Sequence, residues 1–235
     1  MAIVFVGDIH GRWDLVARGL DALAVPPRAA VLLGDMECDR PLDALAEPFL
    51  ARGIAVHWIH GNHDNDGGPE MWANLADAAR NPATAAGALH ATVAEVAGVR
   101  IAGLGGTFRP RVWSPPAAPR LHGRAHLAAD VAERDAALGD AHRDAVAHSL
   151  ASAAIWPEDY ARLAALRADV LVTHEAPCSH RAGKRALADL ARAMGARLVV
   201  HGHHHAGYRA RAADGLEAMG VGSAWGVGLD GAVWW

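Results

Sequence analysis

The sequence predicts an α/β fold with a largely parallel first sheet and a second sheet closed late in the chain. Two observations carry this. Up to about residue 80, short apolar runs alternate with segments of helical period, a βαβαβα order that argues for parallel, doubly buried strands. Beyond about residue 206, short apolar segments alternate with glycines, which reads as antiparallel strands of a second sheet.

In order, the run 3–6 is a buried strand ending in Gly7-Asp8-Ile9-His10-Gly11. Trp13, Val16, Leu20 and Leu23 then recur on one helical face, and Pro26-Pro27 stops the helix. A second run, 29–33, ends in Gly34-Asp35 and leads to a helix closing near Arg52. The third, 54–59, runs into Gly61-Asn62-His63-Asp64, and a helix over about 69–79 follows, with Pro69 suited to its first turn. Residues 89–96 and 99–104, joined at Ala97-Gly98, read as an antiparallel hairpin. The stretch 105–126 has no period and no acidic residue, but holds Arg109, Arg111, Arg120, Arg124, Phe108 and Trp113. Residues 127–155 are Ala-rich and helical in pattern, and Pro157 opens a further helix. The run 169–173 leads to His174, a helix covers about 184–194, and 198–200 leads into His201-Gly202-His203-His204-His205. The tail segments 207–212, 216–221 and 229–234 are the strands expected to close the second sheet, with Trp234-Trp235 packed against it.

With 52% hydrophobic and 20% charged residues the chain has globular composition and enough length for a sizeable core. One domain, 1–235, is expected, with 105–157 as an insertion or lid carrying helices. The net charge of −4 leaves no general nucleic-acid footprint. Cys38 and Cys178 form no CxxC, so a reduced pair is expected, with Cys38 a buried thiol. No apolar stretch is long enough to span a bilayer and the N-terminus has no signal-peptide pattern, so a cytoplasmic location is expected.

Fifteen histidines are the compositional oddity, and many follow apolar runs. Asp8 and His10 follow the first strand, Asp35 the second, Asn62 and His63 the third, His174 a later one, and His203 and His205 the last. In a mostly parallel sheet those ends share one edge, where α/β folds place their chemistry. Carboxylates, imidazoles and an amide oxygen, without thiolate, suit divalent Mn, Fe or Zn.

Asp8-Ile9-His10-Gly11, Gly34-Asp35, Gly61-Asn62-His63-Asp64, the isolated His174 and Gly202-His203-His204-His205 together resemble the motif series of the calcineurin-like metallophosphoesterases, in the same order and across nearly the whole chain. The resemblance implies a two-sheet αββα sandwich, mixed sheets flanked by helices. It implies two divalent metal ions, one held by Asp8, His10, Asp35 and His205, the other by Asp35, Asn62, His174 and His203, with Asp35 bridging. It implies hydrolysis of a small phosphorylated substrate by attack of a metal-bridging hydroxide, His63 donating a proton to the leaving group and Asp64 orienting it. A phosphomonoester, a nucleotide or a phosphodiester fits. The rivals are a dinucleoside-polyphosphate hydrolase, a protein phosphatase, and a non-catalytic scaffold on the same fold. Gly34 to Arg40 is one residue longer than the protein-phosphatase motif and lacks its final glycine, which argues against that branch.

Arg12 and Arg40 flank the first two motifs, and Arg109 and Arg111 lie in the aperiodic stretch. Each is a candidate phosphate contact or a solvated surface arginine. Trp113 is a candidate for base stacking or for filling a gap. His204 is expected to face away from its ligand neighbours, and His201 to support the site from behind.

Overall fold

The computed structural model describes residues 3–235. Three strands, β1 (Ile3–Val6), β2 (Ala29–Leu32) and β3 (Ala55–Trp58), pair in parallel, with Ile3 opposite Ala29 and Ala29 opposite Ala55. Their continuity of apolar residues has a direct cause: both faces of β1 and β2 are covered. Val4, Val6, Ala30 and Leu32 meet a helical layer with Trp13, Val16 and Leu20 of α1 (Trp13–Asp21). Ile3, Phe5, Ala29 and Val31 face the other way, onto Ile101, Val170, Val172 and Val200 of a second sheet.

That second sheet holds six strands among the described residues. β4 (Thr92–Val96) and β5 (Val99–Leu104) form the expected hairpin, closed at Ala97-Gly98. β6 (Val170–Thr173) and β7 (Leu198–His201) continue it in parallel, β9 (Glu217–Gly220) joins β7 in parallel, and β8 (Tyr208–Arg211) caps the edge antiparallel to β9. The outer face of this sheet packs on α7 (Pro157–Ala164) and α8 (Arg185–Met194) through Leu104, Leu171, Val199, Leu163 and Leu190. The layers are therefore helix, sheet, sheet, helix, the αββα sandwich.

Three expectations differ. The later strands form no single parallel sheet with the first three. The tail does not supply three strands to the second sheet either: its last strand, β10 (Gly226–Gly228), pairs antiparallel with β1 in the first sheet. Residues 229–234 contribute only a bridge from Val233 to Val227. The cause is glycine. A Cβ on Gly226 would lie 2.4 Å from Trp235, and one on Gly19 of α1 would lie 2.2 Å from it. Trp234 and Trp235 fold over the glycine strand and pack into the layer under the first sheet, not the second. Third, the helix expected to close near Arg52 is two short ones, α2 (Leu42–Leu45) and α3 (Glu47–Leu50). Pro48 has no N–H to continue α2 and its ring would meet the carbonyl four residues back.

Between the hairpin and α7 run the irregular stretch 105–126, then α5 (Leu127–Arg134) and α6 (Asp140–Ala153), separated at Gly139. α6 touches α4 (Gly68–Ala76) beside the loop after β3, where Asn65 donates to Ser152 Oγ.

Candidate metal centre

Each parallel strand hands its chain to the same edge of the sandwich, so the ligand residues arrive there from both sheets. Asp8 and His10 come from β1, Asp35 from β2, Asn62 and His63 from β3, His174 from β6, and His203 and His205 from β7. They gather in two groups whose ligand atoms lie within 4.8 Å of one another: Asp8, His10 and His205, and Asp35, His174 and His203. Each group takes members from both sheets.

Asp35 lies between the groups. Its Oδ2 is 3.2 Å from His174 Nε2 and 3.9 Å from His10 Nε2. Asn62 Oδ1 is 3.2 Å from His174 Nε2. The tautomers follow from the outer contacts. His174 Nδ1 donates to the Leu33 carbonyl at 2.8 Å, and His10 Nδ1 to Glu37 Oε1 at 2.6 Å, so both Nε2 lone pairs point inward. His10 Nε2 and His205 Nε2 stand 3.0 Å apart. Converging nitrogen lone pairs and carboxylates repel unless a cation or a proton lies between them, and this donor set fits divalent ions.

Of the nine non-glycine residues with positive φ among the described residues, six are Asp8, His10, Asp35, Glu37, His203 and His205. Left-handed backbone of this kind costs on the order of 1–3 kcal/mol per residue and persists where surrounding contacts enforce it. Here the contacts are hydrogen bonds between the motifs. Asp8 accepts the His203 N–H at 2.9 Å, and Asp35 Oδ1 accepts the His63 N–H at 2.8 Å. Gly61 is required by close approach: a Cβ there would stand 2.1 Å from Asp35 Oδ1.

Burial raises the Asp8 carboxyl above its ordinary range. Burial would do the same to Asp35 and would depress His174, but their mutual attraction outweighs it, holding Asp35 low and His174 up at about 9. Burial and the neighbouring His174 charge depress His203 to about 3.

His63 is half exposed, its ring centroid 5.6 Å from that of His10. Its partner is not Asp64, the residue expected to orient it. Asp66 Oδ2 lies 2.6 Å from His63 Nδ1, and this bond raises the imidazole above its ordinary value. Asp64 is buried and occupied elsewhere. Its Oδ2 accepts the N–H groups of Gly61 and Asp35 at 2.7 and 2.9 Å, its Oδ1 those of Met36 and Glu37 at 2.7 and 2.9 Å. It ties the loop carrying Asp35 to the loop carrying Asn62. Burial pushes its carboxyl up to about 6, against those four donors.

The arginines separate. Arg12 donates to Ser223 Oγ, which itself donates to the Asp8 carbonyl at 2.7 Å, so the guanidinium is held at the first ligand group. Arg40 pairs with its neighbour Asp39 at 3.6 Å and is largely exposed. Arg111 is clamped through Nε and Nη2 by Asp130 and Asp135 at 2.7 and 2.6 Å, which fixes the aperiodic stretch to α5 and commits two of its three nitrogens away from a phosphate. Arg109 lies near Glu175, whose carboxyl feels its charge. Trp113 packs edge-on between Phe108 and Tyr160. His204 turns away from the ligands and stacks on His180 at 4.0 Å, and His201 bonds the Tyr208 hydroxyl at 2.8 Å behind them. Glu37, Asp66 and Ser223 are the site residues that sequence reasoning missed. A cleft of about 620 Å³ lies at the opposite edge, around Asp169, Arg197 and Leu198 where β6 and β7 begin.

Residues 1–207 match the family model described as calcineurin-like phosphoesterase. The chain belongs to the calcineurin-like phosphoesterase family. As a family member it is a metal-dependent phosphoric ester hydrolase, and the family implies divalent metal ions. An uncharacterized protein of Haemophilus influenzae is 34% identical over 215 residues, covering 89% of this chain and 85% of the relative. Two solved structures share the calcineurin-like fold. A protein from Thermus thermophilus is 14% identical with a TM-score of 0.57, covering 96% of this chain and 92% of that one. A dimetal phosphatase from Danio rerio is 13% identical with a TM-score of 0.57, covering 94% and 87%. At these identities the likeness is one of fold. Among the described residues no helix is long and apolar enough to cross a membrane.

Proposed function

We propose that the centre binds two divalent ions, of the Mn, Fe or Zn type, and hydrolyses a small phosphate ester: a monoester, a nucleotide or a diester. The observation that carries this reading is the pair of three-residue ligand groups with Asp35 between them and His63 beside them at the open edge. Asp8, His10 and His205 would hold one ion, and Asn62, His174 and His203 the other, with Asp35 reaching both. Ions held there supply Lewis-acid charge for the phosphoryl oxygens and a lowered pKa for water.

The chain's own groups then divide the remaining work. Arg12, fixed by Ser223, offers a fork of donors to a phosphoryl oxygen. His63 is reachable from solvent, and its Nδ1 is engaged by Asp66, so Nε2 is the nitrogen free to carry a proton to the departing oxygen. Glu37 holds His10 in the tautomer that turns Nε2 inward. The segment 105–157 is joined to the His63 loop through Asn65, which donates to Ser152 Oγ.

His63→Ala should retain its metal and lose most turnover on a panel of a phosphomonoester, a phosphodiester, a cyclic nucleotide and a dinucleoside polyphosphate. If metal content falls together with activity, His63 belongs to the ligand set and this division of roles is wrong.

A further inference from the structure

The parallel strands of the second sheet end at the metal centre, and they start at the opposite edge of the sandwich. The cleft of about 620 Å³ opens at that far edge. Its volume lies in the range of small-ligand sites, ~300–1,000 Å³.

The floor of the cleft is an end of the core. Val170 and Leu198 belong to the apolar layer between the two sheets, and Val99 and Leu229 pack against that layer half-buried. All four line the cleft, so the apolar layer reaches solvent along this edge.

The wall beside the floor is charged, and the widths of the sheets explain why. The first sheet has four strands and the second six among the described residues. The inner face of the second sheet therefore runs past its cover at β9 and β8. Glu217 of β9 is in register with Leu198, and Met219, two residues on, joins the apolar layer, so Glu217 faces the same way. Arg211 and Arg209 of β8 stand opposite Glu217 and Met219.

The carboxylates around the cleft are already engaged. Arg209 donates to Glu217 Oε2 through Nε and Nη2 at 3.0 and 2.6 Å, and through Nη1 to the Asp230 carbonyl. Asp169 accepts Nε and Nη2 of Arg100 at 3.1 and 2.9 Å. Asp214 pairs with Arg192 at 2.6 Å, and Asp230 Oδ1 accepts the Ala232 N–H at 3.0 Å. Two guanidiniums are left over. Arg211 has a single 3.9 Å contact to Glu217 Oε1. The Arg197 side chain forms no hydrogen bond or ion pair among the described residues, although Asp169 feels its charge. The Arg197 backbone is nevertheless fixed: its N–H donates to the Asp169 carbonyl at 3.0 Å, and its carbonyl accepts the Glu217 N–H at 2.9 Å. Spare guanidinium donors beside a carbon floor suit an anionic head joined to an apolar body.

We infer that this cleft binds a small amphiphilic anion, with its carboxylate or phosphate head on Arg197 and Arg211 and its apolar chain along Val99, Val170, Leu198 and Leu229. The site is separate from the metal centre, and it stands whether or not that centre hydrolyses phosphate esters.

The experiment uses octanoate as the probe and measures its binding to the full chain by calorimetry and by methyl NMR. Acetate, octanol and vesicles of an anionic phospholipid are run beside it. Wild type, Arg197→Ala and Arg211→Ala are compared; both side chains are exposed, so both variants should fold. Octanoate should fill one saturable site per chain and shift the methyl resonances of Val99, Val170, Leu198 and Leu229. Acetate, which lacks the chain, and octanol, which lacks the charge, should each bind at least about tenfold more weakly. Each arginine variant should weaken octanoate by about tenfold. No saturable binding, or an affinity that neither variant changes, overturns the site. So does acetate or octanol binding as tightly as octanoate. Shifts confined to Ile9 and Leu33, beside the metal ligands, would put the carboxylate on the metal centre and overturn it too. Vesicle binding that needs the two arginines, with no binding of free octanoate, would make this edge a lipid contact and overturn the small-molecule site.

Discussion

Asp64 and Asp66 are two residues apart, and substituting each by asparagine should produce opposite defects. Asp64 accepts four backbone N–H groups at 2.7–2.9 Å in a buried position. Asparagine keeps one oxygen, able to accept two of them, and turns an NH₂ group toward the other two. Two buried donors lose their acceptor, at about 1–3 kcal/mol each. The expected loss is about 4 kcal/mol, a large part of the ~5–15 kcal/mol that holds an ordinary domain together. In urea titrations Asp64→Asn should lower the midpoint without changing the slope. It should also weaken metal binding, because the Asp35 and Asn62 loops are no longer tied. Asp66 is exposed, so Asp66→Asn should change stability by less than about 1 kcal/mol. Its effect should be on turnover, a fall of about tenfold to a hundredfold in kcat, greatest for esters with poor leaving groups. The pH profile gives the sign. The acid must be protonated to act, so rate is lost as pH rises through its pKa. Asp66 raises that pKa, and its removal should move the alkaline limb to lower pH. If Asp64→Asn keeps full stability and shifts the limb while Asp66→Asn does neither, the assignment of the two carboxylates is reversed.

Further outcomes follow from the same geometry. In metal-free protein His174 is held at about 9 against an ordinary value of 6.5, by attraction to Asp35 that overcomes its burial. That is a proton bound about 300-fold more tightly, or about 3 kcal/mol, counted once for the pair. A raised histidine contributes this stability fully below pH 6.5 and loses it as pH rises through about 9. Melting of chelator-treated protein should therefore fall over that window while metal affinity rises, and a flat profile would refute the pairing. Gly61→Ala places a Cβ 2.1 Å from Asp35 Oδ1, so metal content and turnover should both collapse. An active alanine variant would show that the loop gives way. Arg12→Ala should reduce kcat/KM by about tenfold to a hundredfold, as loss of a charge-assisted contact, with Ser223→Ala in the same direction and smaller; unchanged kinetics would remove Arg12 from the site. Arg111→Ala should lower the melting temperature through loss of Asp130 and Asp135 and leave kcat/KM within about twofold of wild type.

The ligand residues were legible because they sit immediately after apolar runs, where strand direction alone fixes which edge they reach. The division into two sheets was not legible from spacing. Runs 29–33 and 198–200 look alike, and only the pairing of β5, β6, β7 and β9 assigns the later ones to a sheet of their own. The glycine strand β10 has no side-chain period to read, whereas the apolar residues of 229–234, which cover the glycines, imitate one. Asp64 looked like the orienter of His63 because it is adjacent in sequence. In the tight turn after β3 adjacent side chains diverge, and the residue three positions on comes back within 2.6 Å. Glu37 and Ser223 act through backbone turned to positive φ and through a contact 211 residues distant, and no local pattern carries either.

Two ions shared through Asp35 are the core of the proposed chemistry. Metal content per chain, measured by mass spectrometry during stepwise reloading and paired with turnover at each step, tests this most directly. Two divalent ions per chain, activity that follows the second, and Asp35→Asn that holds fewer and is inactive are the predicted results. Full activity at one ion per chain or none, or an Asp35→Asn variant as active as wild type, would contradict it.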